Sequence, residues 1–222
     1  MSSEQNSFRE SPHFLFVHGM GRTPLSGWPM LWRLKRSGFT TRTFAYMTSM
    51  ENFARIKARL VARITALAAK GDYLLVGHSL GGVLLRDAIN ALPQGTRLPR
   101  RLYLLGSPIT PARLAIKLAN NFIYRMTTGD CGQMLGSTTR MAEIGSVTIP
   151  TVSILGTRGF SHTQGPFRDE ANDGVVAVSE AAANWIADEV HIPCVHTWLP
   201  GSRRVAELIL AREQPAKTPS AK

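Results

Sequence analysis

The most specific feature of this sequence is Tyr73-Leu74-Leu75-Val76-Gly77-His78-Ser79-Leu80-Gly81-Gly82, in which apolar residues lead into the pattern Gly-x-Ser-x-Gly. The apolar residues predict a buried strand, and residues 80 to about 91 predict a helix. A serine between the two must occupy a very sharp turn, where glycines at positions 77 and 81 remove clashes with neighbouring backbone. The pattern therefore predicts that Ser79 is a nucleophile at a strand–helix junction.

Short apolar runs alternate with longer helical patterns along the rest of the chain, which is typical of a parallel sheet with crossover helices. The runs are too short for helices, and strands that are buried on both faces need not alternate. We therefore expect an α/β fold with about six mostly parallel strands and helices on both faces. The predicted strands are 14–17, 40–45, 73–76, 101–105, 151–155 and 189–195.

The length of 222 residues suits one domain, which we place at residues 12–212 between polar tails, 1–11 and 213–222, that are predicted to be disordered. Thr48 and Glu51 form a possible capping box for a helix that runs to about Lys70. The long connection 107–150 predicts a helical insertion, since a structureless loop of that length would be unusual. Within it, residues 111–126 form an amphipathic stretch with apolar side chains at Leu114, Ile116, Leu118, Phe122, Ile123 and Met126.

The charge balance, 26 basic against 15 acidic residues, favours anionic partners. The basic residues are scattered without interleaved aromatic residues, so no nucleic-acid surface is predicted. Weak association with an anionic membrane surface is a possible role for the stretch 111–126, which also carries Arg113, Lys117 and Arg125. No apolar leader precedes the first strand, so we expect a cytoplasmic location. Cys131 and Cys194 match no metal-ligand spacing, so we expect them to be free thiols, and we expect no metal or cofactor.

A nucleophilic serine needs a base, which in this architecture lies after the last strand. Two histidines are candidates for this role. His191 falls inside the predicted strand, where its side chain would project onto a helix-covered face. His196 follows the strand, in a loop at the carboxyl edge of the sheet where ligands bind in open α/β folds, and is the preferred base.

The acid that orients the base should lie between the last two strands. Asp169, Glu170 and Asp173 qualify by position. Asp173 lies in Asn172-Asp173-Gly174, a tight turn that could hold a carboxylate rigidly, but this tripeptide is also ordinary turn chemistry. The local sequence therefore leaves Asp173 and Asp169 open as alternatives.

An oxyanion hole needs two backbone N–H groups. Leu80, the residue after the nucleophile, supplies one, and the glycine-flanked Met20 after the first strand is the natural second donor. His18, His78 and His162 are interpreted as structural residues, His18 as a brace for its turn.

These motifs resemble those of an α/β-hydrolase of the compact bacterial lipase and esterase kind. The resemblance rests on His18-Gly19-Met20-Gly21, Gly77-His78-Ser79-Leu80-Gly81-Gly82, Leu105-Gly106-Ser107-Pro108 and Asn172-Asp173-Gly174-Val175-Val176. In those lipases the aspartate of the last motif is catalytic and its histidine follows about two dozen residues later. The resemblance therefore implies that Asp173 and His196 complete a triad with Ser79.

The expected reaction is hydrolysis of a carboxylic ester through an acyl-serine intermediate. Two departures from the family pattern are the six strands, where eight are usual, and the lack of a secretion signal. They favour an intracellular esterase, thioesterase or acyltransferase over an exported triglyceride lipase. A thioesterase or an acyltransferase would use the same residues. A basic membrane-surface or binding protein that retains the fold is the alternative from another class.

Overall fold

The computed structural model describes residues 12–160 and 165–213. The strands are β1 His13–Val17, β2 Thr40–Phe44, β3 Tyr73–His78, β4 Arg101–Leu105, β5 Thr151–Gly156 and β6 Asp188–Ile192. These six parallel strands form one sheet in the order β2-β1-β3-β4-β5-β6, so β2 and β6 are the edges. This confirms the predicted α/β fold.

Helices cover both faces of the sheet because the inner strands are apolar on both sides. The helices are α1 Trp28–Arg36, α2 Phe53–Ala68, α3 Leu80–Asn90, α4 Arg113–Leu118, α5 Phe122–Gly136, α6 Thr138–Ile144, α7 Val178–Ala181 and α8 Arg203–Glu213, with 3-10 helices at Pro24–Gly27 and His196–Gly201. In β1, Leu15 and Val17 pack into the cluster that contains α2 and α3, while Phe14 and Phe16 pack into the cluster of α1 and α8. Each fully buried side chain of this size contributes about 1.5–3 kcal/mol.

The last strand is shorter than predicted. It ends at Ile192 rather than at residue 195, because Pro193 has no N–H to continue the ladder. The N–H of Cys194 instead turns back to the carbonyl of Ile192, at 2.8 Å. The chain therefore leaves the sheet early and reaches His196 as part of a 3-10 helix.

The predicted capping box at the start of α2 is wrong. Asn52 is the N-cap, and its side chain accepts the N–H of Arg55 at 2.8 Å. Glu51 instead pairs with Arg59, and the Thr48 hydroxyl donates to the carbonyl of Thr127. Asparagine directly before the apolar face of the helix competes successfully for the cap position.

The segment 107–150 contains three helices, and the stretch 111–126 is not one continuous helix. Asn121 caps a new helix by accepting the N–H of Tyr124, which separates α4 from α5. Gly129, with φ of 54°, then kinks α5. A side chain there would lie 2.7 Å from the carbonyl oxygen of Thr48, so this kink lets the loop after β2 pack against the segment.

The final helix extends past its predicted end and includes Glu213, which was assigned to the disordered tail. Glu213 is buried, and its carboxylate accepts from the Tyr103 hydroxyl at 2.5 Å and from Arg101. The remaining predicted tails, 1–11 and 214–222, lie outside the described residues. Cys131 and Cys194 are free thiols. Across residues 12–160 and 165–213, every helix is too short or too polar to cross a bilayer.

Candidate active site

Ser79 lies on the sharp turn between β3 and α3. Its φ of 52° and ψ of −125° lie in a region that non-glycine residues rarely adopt. The turn is held because the N–H of Ser79 donates to the Leu105 carbonyl and the N–H of Gly82 donates to the Ser79 carbonyl, both at 2.9 Å. Strain of this kind costs about 1–3 kcal/mol and persists only where the surroundings enforce it.

Two glycines make this turn possible, as the sequence pattern predicts. A Cβ on Gly77 would lie 2.4 Å from the Cα of Gly82, so the strand and the helix could not approach each other. A Cβ on Gly81 would lie 2.2 Å from the carbonyl oxygen of Val17 in β1. Gly77 therefore lets the strand and the helix of the turn pack against each other, and Gly81 lets the end of β1 lie beside the start of α3.

The structure pairs His196 with Asp173. The Nδ1 of His196 lies 2.7 Å from Oδ2 of Asp173, and the N–H of His196 donates to the Asp173 carbonyl at 2.9 Å. The other carboxylate oxygen, Oδ1, accepts the N–H groups of Val175 and Val176 at 2.9 and 2.8 Å. Because an ionised carboxylate only accepts, the geometry assigns the proton to Nδ1 and leaves Nε2 free to act as a base.

Asn172 holds the turn that carries Asp173. Its Oδ1 accepts the N–H groups of Gly174 and Phe160, and its Nδ2 donates to the carbonyls of Phe160 and Glu170. The buried amide thus ties the turn to the segment that follows β5. The hydrogen bonds of Asn172 therefore do more than form a turn, because they also fix the direction of the Asp173 carboxylate.

Ser79 and His196 meet at the same corner of the sheet. Ser79 and His196 are 8% and 7% exposed, against 2% for Asp173, so the two residues that would act on a substrate are the more accessible. Gly106 lies next to the acceptor of the Ser79 N–H, and a Cβ on it would touch Asp173 Oδ2 and His196 Nδ1. Within the described ranges, Ser79 Oγ makes no direct hydrogen bond to His196; such bonds often tighten only when substrate binds.

His78 braces His196 from the strand side. Its Nε2 donates to the His196 carbonyl at 3.0 Å, and the two rings lie 4.7 Å apart. Burial, followed by the nearby His196, holds the pKa of His78 well below its usual value. His78 is therefore a neutral donor at ordinary pH, in line with its interpretation as a structural residue.

The loop after β1 lies against the nucleophile. A Cβ on Gly19 would lie 3.1 Å from the Cβ of Ser79, so this loop approaches the site as closely as a backbone can. Met20 follows it and packs partly buried on the core. Leu80 is the first residue of α3, a position whose N–H has no partner inside the helix. The two backbone donors predicted from the sequence therefore belong to segments that flank Ser79.

Tyr46, which follows β2, supports this loop and was missed by sequence reasoning. Its ring stacks on His18 at 4.3 Å, its hydroxyl donates to the His18 carbonyl at 2.7 Å, and its N–H approaches the His18 Nε2. His18 Nδ1 in turn donates to the Gly19 carbonyl at 2.9 Å. Burial lowers the pKa of His18, which keeps it neutral in this role. The signal available in the sequence was an aromatic residue at the carboxyl end of a strand.

The alternative acid and base residues lie elsewhere. His191 is in the edge strand, and its side chain is exposed and bonded to Glu189 at 2.7 Å, so the expectation that it faces a helix-covered side is wrong. Glu170 pairs with Arg113, and Asp169 is exposed. His162 lies outside the described residues. In the part of the chain that the structure describes, no three His, Cys, Asp or Glu side chains converge as metal ligands would.

Sequence comparisons with known proteins give a partial relative. No family model matches the chain. Methylesterase 17 of Arabidopsis thaliana is 26% identical over 95 residues, which is 39% of this chain and only about a third (34%) of that protein.

Solved structures resemble the chain over nearly its whole length. The mature form of the Bacillus licheniformis lipase BlEst2 superposes with a TM-score of 0.73 at 16% identity, covering 91% of each chain. The RedJ thioesterase of the prodiginine biosynthetic pathway in Streptomyces coelicolor gives a TM-score of 0.56 at 15% identity, covering 90% of this chain and 84% of that one. Both likenesses concern the course of the backbone. This chain therefore has the α/β-hydrolase fold of esterases and lipases, with six parallel strands.

Proposed function

We propose that this protein is a serine hydrolase that cleaves carboxylic esters through an acyl-serine intermediate on Ser79. The observation that supports this proposal most strongly is the bonded pair His196–Asp173 at the same sheet corner as a serine on a strained strand–helix turn. The likeness to an esterase, a lipase and a thioesterase supports an ester or thioester as the substrate class.

In the first half of the proposed reaction, the Oγ of Ser79 attacks the ester carbonyl while its proton moves to the Nε2 of His196. Asp173 stabilises the resulting imidazolium through its bond to Nδ1. The N–H groups of Met20 and Leu80 would bind the oxyanion, a contribution of roughly 10²–10³ in rate for each donor. When the carbon–oxygen bond to the alcohol breaks, His196 returns the proton to the departing oxygen, and the acyl group remains on Ser79.

In the second half, water takes the place of the alcohol. His196 removes a proton from the water, whose oxygen attacks the acyl carbon. The bond between the acyl carbon and Ser79 Oγ then breaks, and the proton on His196 passes to Oγ of Ser79. The products are the free acid and the original enzyme, so the cycle needs no redox partner.

The decisive experiment compares the wild-type chain with Ser79→Ala. Turnover of 4-nitrophenyl esters of graded chain length and labelling by a fluorophosphonate should both disappear in the variant, because removal of one triad member costs several powers of ten. If the variant kept more than about one part in a hundred of the wild-type rate, Ser79 could not be the nucleophile.

Matched variants test the base and the acid. His196→Ala should be as inactive as Ser79→Ala, while His191→Ala, an exposed histidine close by in sequence, should keep most activity. Asp173→Asn should lose most of the rate and Asp169→Asn little. The opposite pattern in either pair would move that role to the alternative residue.

A thioesterase or an acyltransferase remains a second candidate, since the same residues would serve either reaction. Rates on matched oxygen and thiol esters, and the yield of transfer product with added alcohol, distinguish these reactions. A chain that turns over no ester and resists the fluorophosphonate would instead be a binding protein that retains the fold.

The cytoplasmic location of the protein stays a prediction.

We also propose weak association of α5 with anionic lipid surfaces. Phe122, Ile123 and Met126 are 73%, 70% and 63% exposed, and Arg125 lines a surface cavity with two of them. Apolar side chains beside cations suit a lipid interface, where each cation contributes about 1 kcal/mol. Binding to vesicles with and without acidic lipid, at low and physiological salt, tests this proposal. Equal and negligible binding in all four conditions would refute it.

A further inference from the structure

A cavity of about 460 Å³ opens beside the candidate base. This volume lies within the range of small-molecule sites. Cys194 and Thr197, which line it, flank His196 in sequence, and Arg22 lines it from the loop that also carries Met20. The cavity thus lies between the two segments that supply the proposed base and one proposed oxyanion donor. Its other lining residues include Ser26, Trp198 and Ser202.

Arg22 gives this cavity a positive charge. Among the residues that the structure describes, no carboxylate lies within ion-pair distance of Arg22, and none lines the cavity. Arg113, by contrast, is paired with Glu170 and Glu180. The charge of Arg22 also acts on the interior beside the site, since after burial and His196 it is a further cause that lowers the pKa of His78.

The other walls fit a small polar ligand with an apolar part. Ser26, Thr197 and Ser202 carry hydroxyl groups that can donate to an anion. Trp198, which is 71% exposed, offers a flat apolar surface at the same cavity. A guanidinium with hydroxyl donors and one aromatic face suits a carboxylate attached to a short carbon skeleton.

We propose that this cavity binds a carboxylate carried by the ester substrate, and that Arg22 makes the protein prefer singly charged esters, such as half-esters of dicarboxylic acids, over neutral ones. The inference rests on the proposed ester hydrolysis and specifies its substrate class. Arg22 is then a specificity-determining residue that binds the part of the substrate remote from the scissile bond.

The test uses two pairs of substrates that differ by one carboxylate. Mono-4-nitrophenyl glutarate and 4-nitrophenyl pentanoate place the difference on the acyl side, while 3-carboxy-4-nitrophenyl acetate and 4-nitrophenyl acetate place it on the alcohol side. Arg22→Gln should lower kcat/KM for the charged member of one pair about five- to tenfold and change its neutral partner less than twofold. Added salt should weaken the wild-type preference in the same direction.

The matched control is Arg63→Gln, because Arg63 is an exposed residue of α2 near the amino ends of the strands. This variant should leave kcat/KM unchanged for both pairs of substrates. Equal effects of Arg22→Gln on charged and neutral esters would overturn the inference while the ester hydrolysis stands. A wild-type chain that cleaves no ester of either charge would refute the proposed function instead. Titration with benzoate tests the carboxylate site without turnover: saturable binding that Arg22→Gln weakens is expected, and binding that is absent or unchanged in the variant overturns the inference.

Discussion

Replacing Gly106 with alanine would test whether the candidate site depends on the position of its acid–base pair. Gly106 follows β4 with φ of +54°, and its Cα faces the pair directly. An added Cβ would lie 2.8 Å from Asp173 Oδ2, 2.8 Å from Leu199 Cδ1 and 3.0 Å from His196 Nδ1. Asp173 cannot simply rotate away, because its second oxygen is held by two backbone N–H groups.

The structure sets the size of the effect. Comfortable contact with carbon begins about half an ångström farther out, so the pair must move by roughly that amount. Because Asp173 is held by its second oxygen, the two side chains cannot shift as one unit, and the 2.7 Å bond between them would lengthen toward the outer limit for a hydrogen bond. Since a displacement of about 1 Å can cost 10² in rate, we expect kcat to fall roughly 10- to 100-fold. The left-handed backbone adds a loss of about 1–2 kcal/mol in the free energy of unfolding.

The assay compares steady-state hydrolysis of a 4-nitrophenyl ester and denaturant unfolding for Gly106→Ala and Gly95→Ala. Gly95 has φ of +80° but nothing within 4 Å of an added Cβ, so it shares the backbone strain without the collision. Both variants should lose the stability that the left-handed backbone costs, and Gly106→Ala should lose more because of the collision. Only Gly106→Ala should lose activity. Full activity in a folded Gly106→Ala variant would refute the reasoning, because the pair would then tolerate displacement.

Three further predictions concern stability and reactivity. Arg86→Ala should lower the free energy of unfolding by about 1–3 kcal/mol and speed proteolysis within residues 107–150. The reason is that the buried Arg86 donates to the carbonyls of Pro108 and Gly145, at the two ends of that segment. Arg55→Ala, at an exposed position, is the control. Glu213→Gln should cost about 1.5–3 kcal/mol, because Arg101 and Tyr103 lose a charged acceptor, whereas Glu207→Gln on the exposed face of α8 should cost under about 0.5 kcal/mol. Iodoacetamide at pH 8 should leave native Cys131 unlabelled by mass spectrometry, because burial raises the pKa of that thiol to about 12, and labelling should require unfolding.

The features predictable from the sequence were those that local pattern and chain order determine. A strand buried on both faces is apolar along most of its length, so β3 and β4 could be identified from their residues alone. The Gly-x-Ser-x-Gly pattern located Ser79, chain order favoured His196, and the resemblance to lipases selected Asp173 over Asp169. The structure brings the three residues to one corner of the sheet. The variants of Ser79, Asp173 and His196 described above test their reactivity.

The features that sequence reasoning missed depend on contacts between distant segments. Nothing local to Thr48 indicates that its carbonyl requires a glycine at position 129. Nor does the sequence around Tyr46 reveal that its ring stacks on His18. The sequence around Arg86 gives no sign that this arginine is buried, because its acceptors lie 22 and 59 residues away. Such partners become apparent only when the chain is folded.

The order of strands in the sheet has a consequence for how the site forms during folding. His78, beside the nucleophile, and His196 are 118 residues apart, and β6, which leads to His196, pairs only with β5 at the sheet edge. Pairing of parallel strands requires contacts between distant parts of the chain and is intrinsically slow. The central strands can therefore pair while the site is still incomplete. During refolding, reactivity toward a fluorophosphonate should return after most of the circular dichroism signal, so the label reports complete assembly rather than collapse.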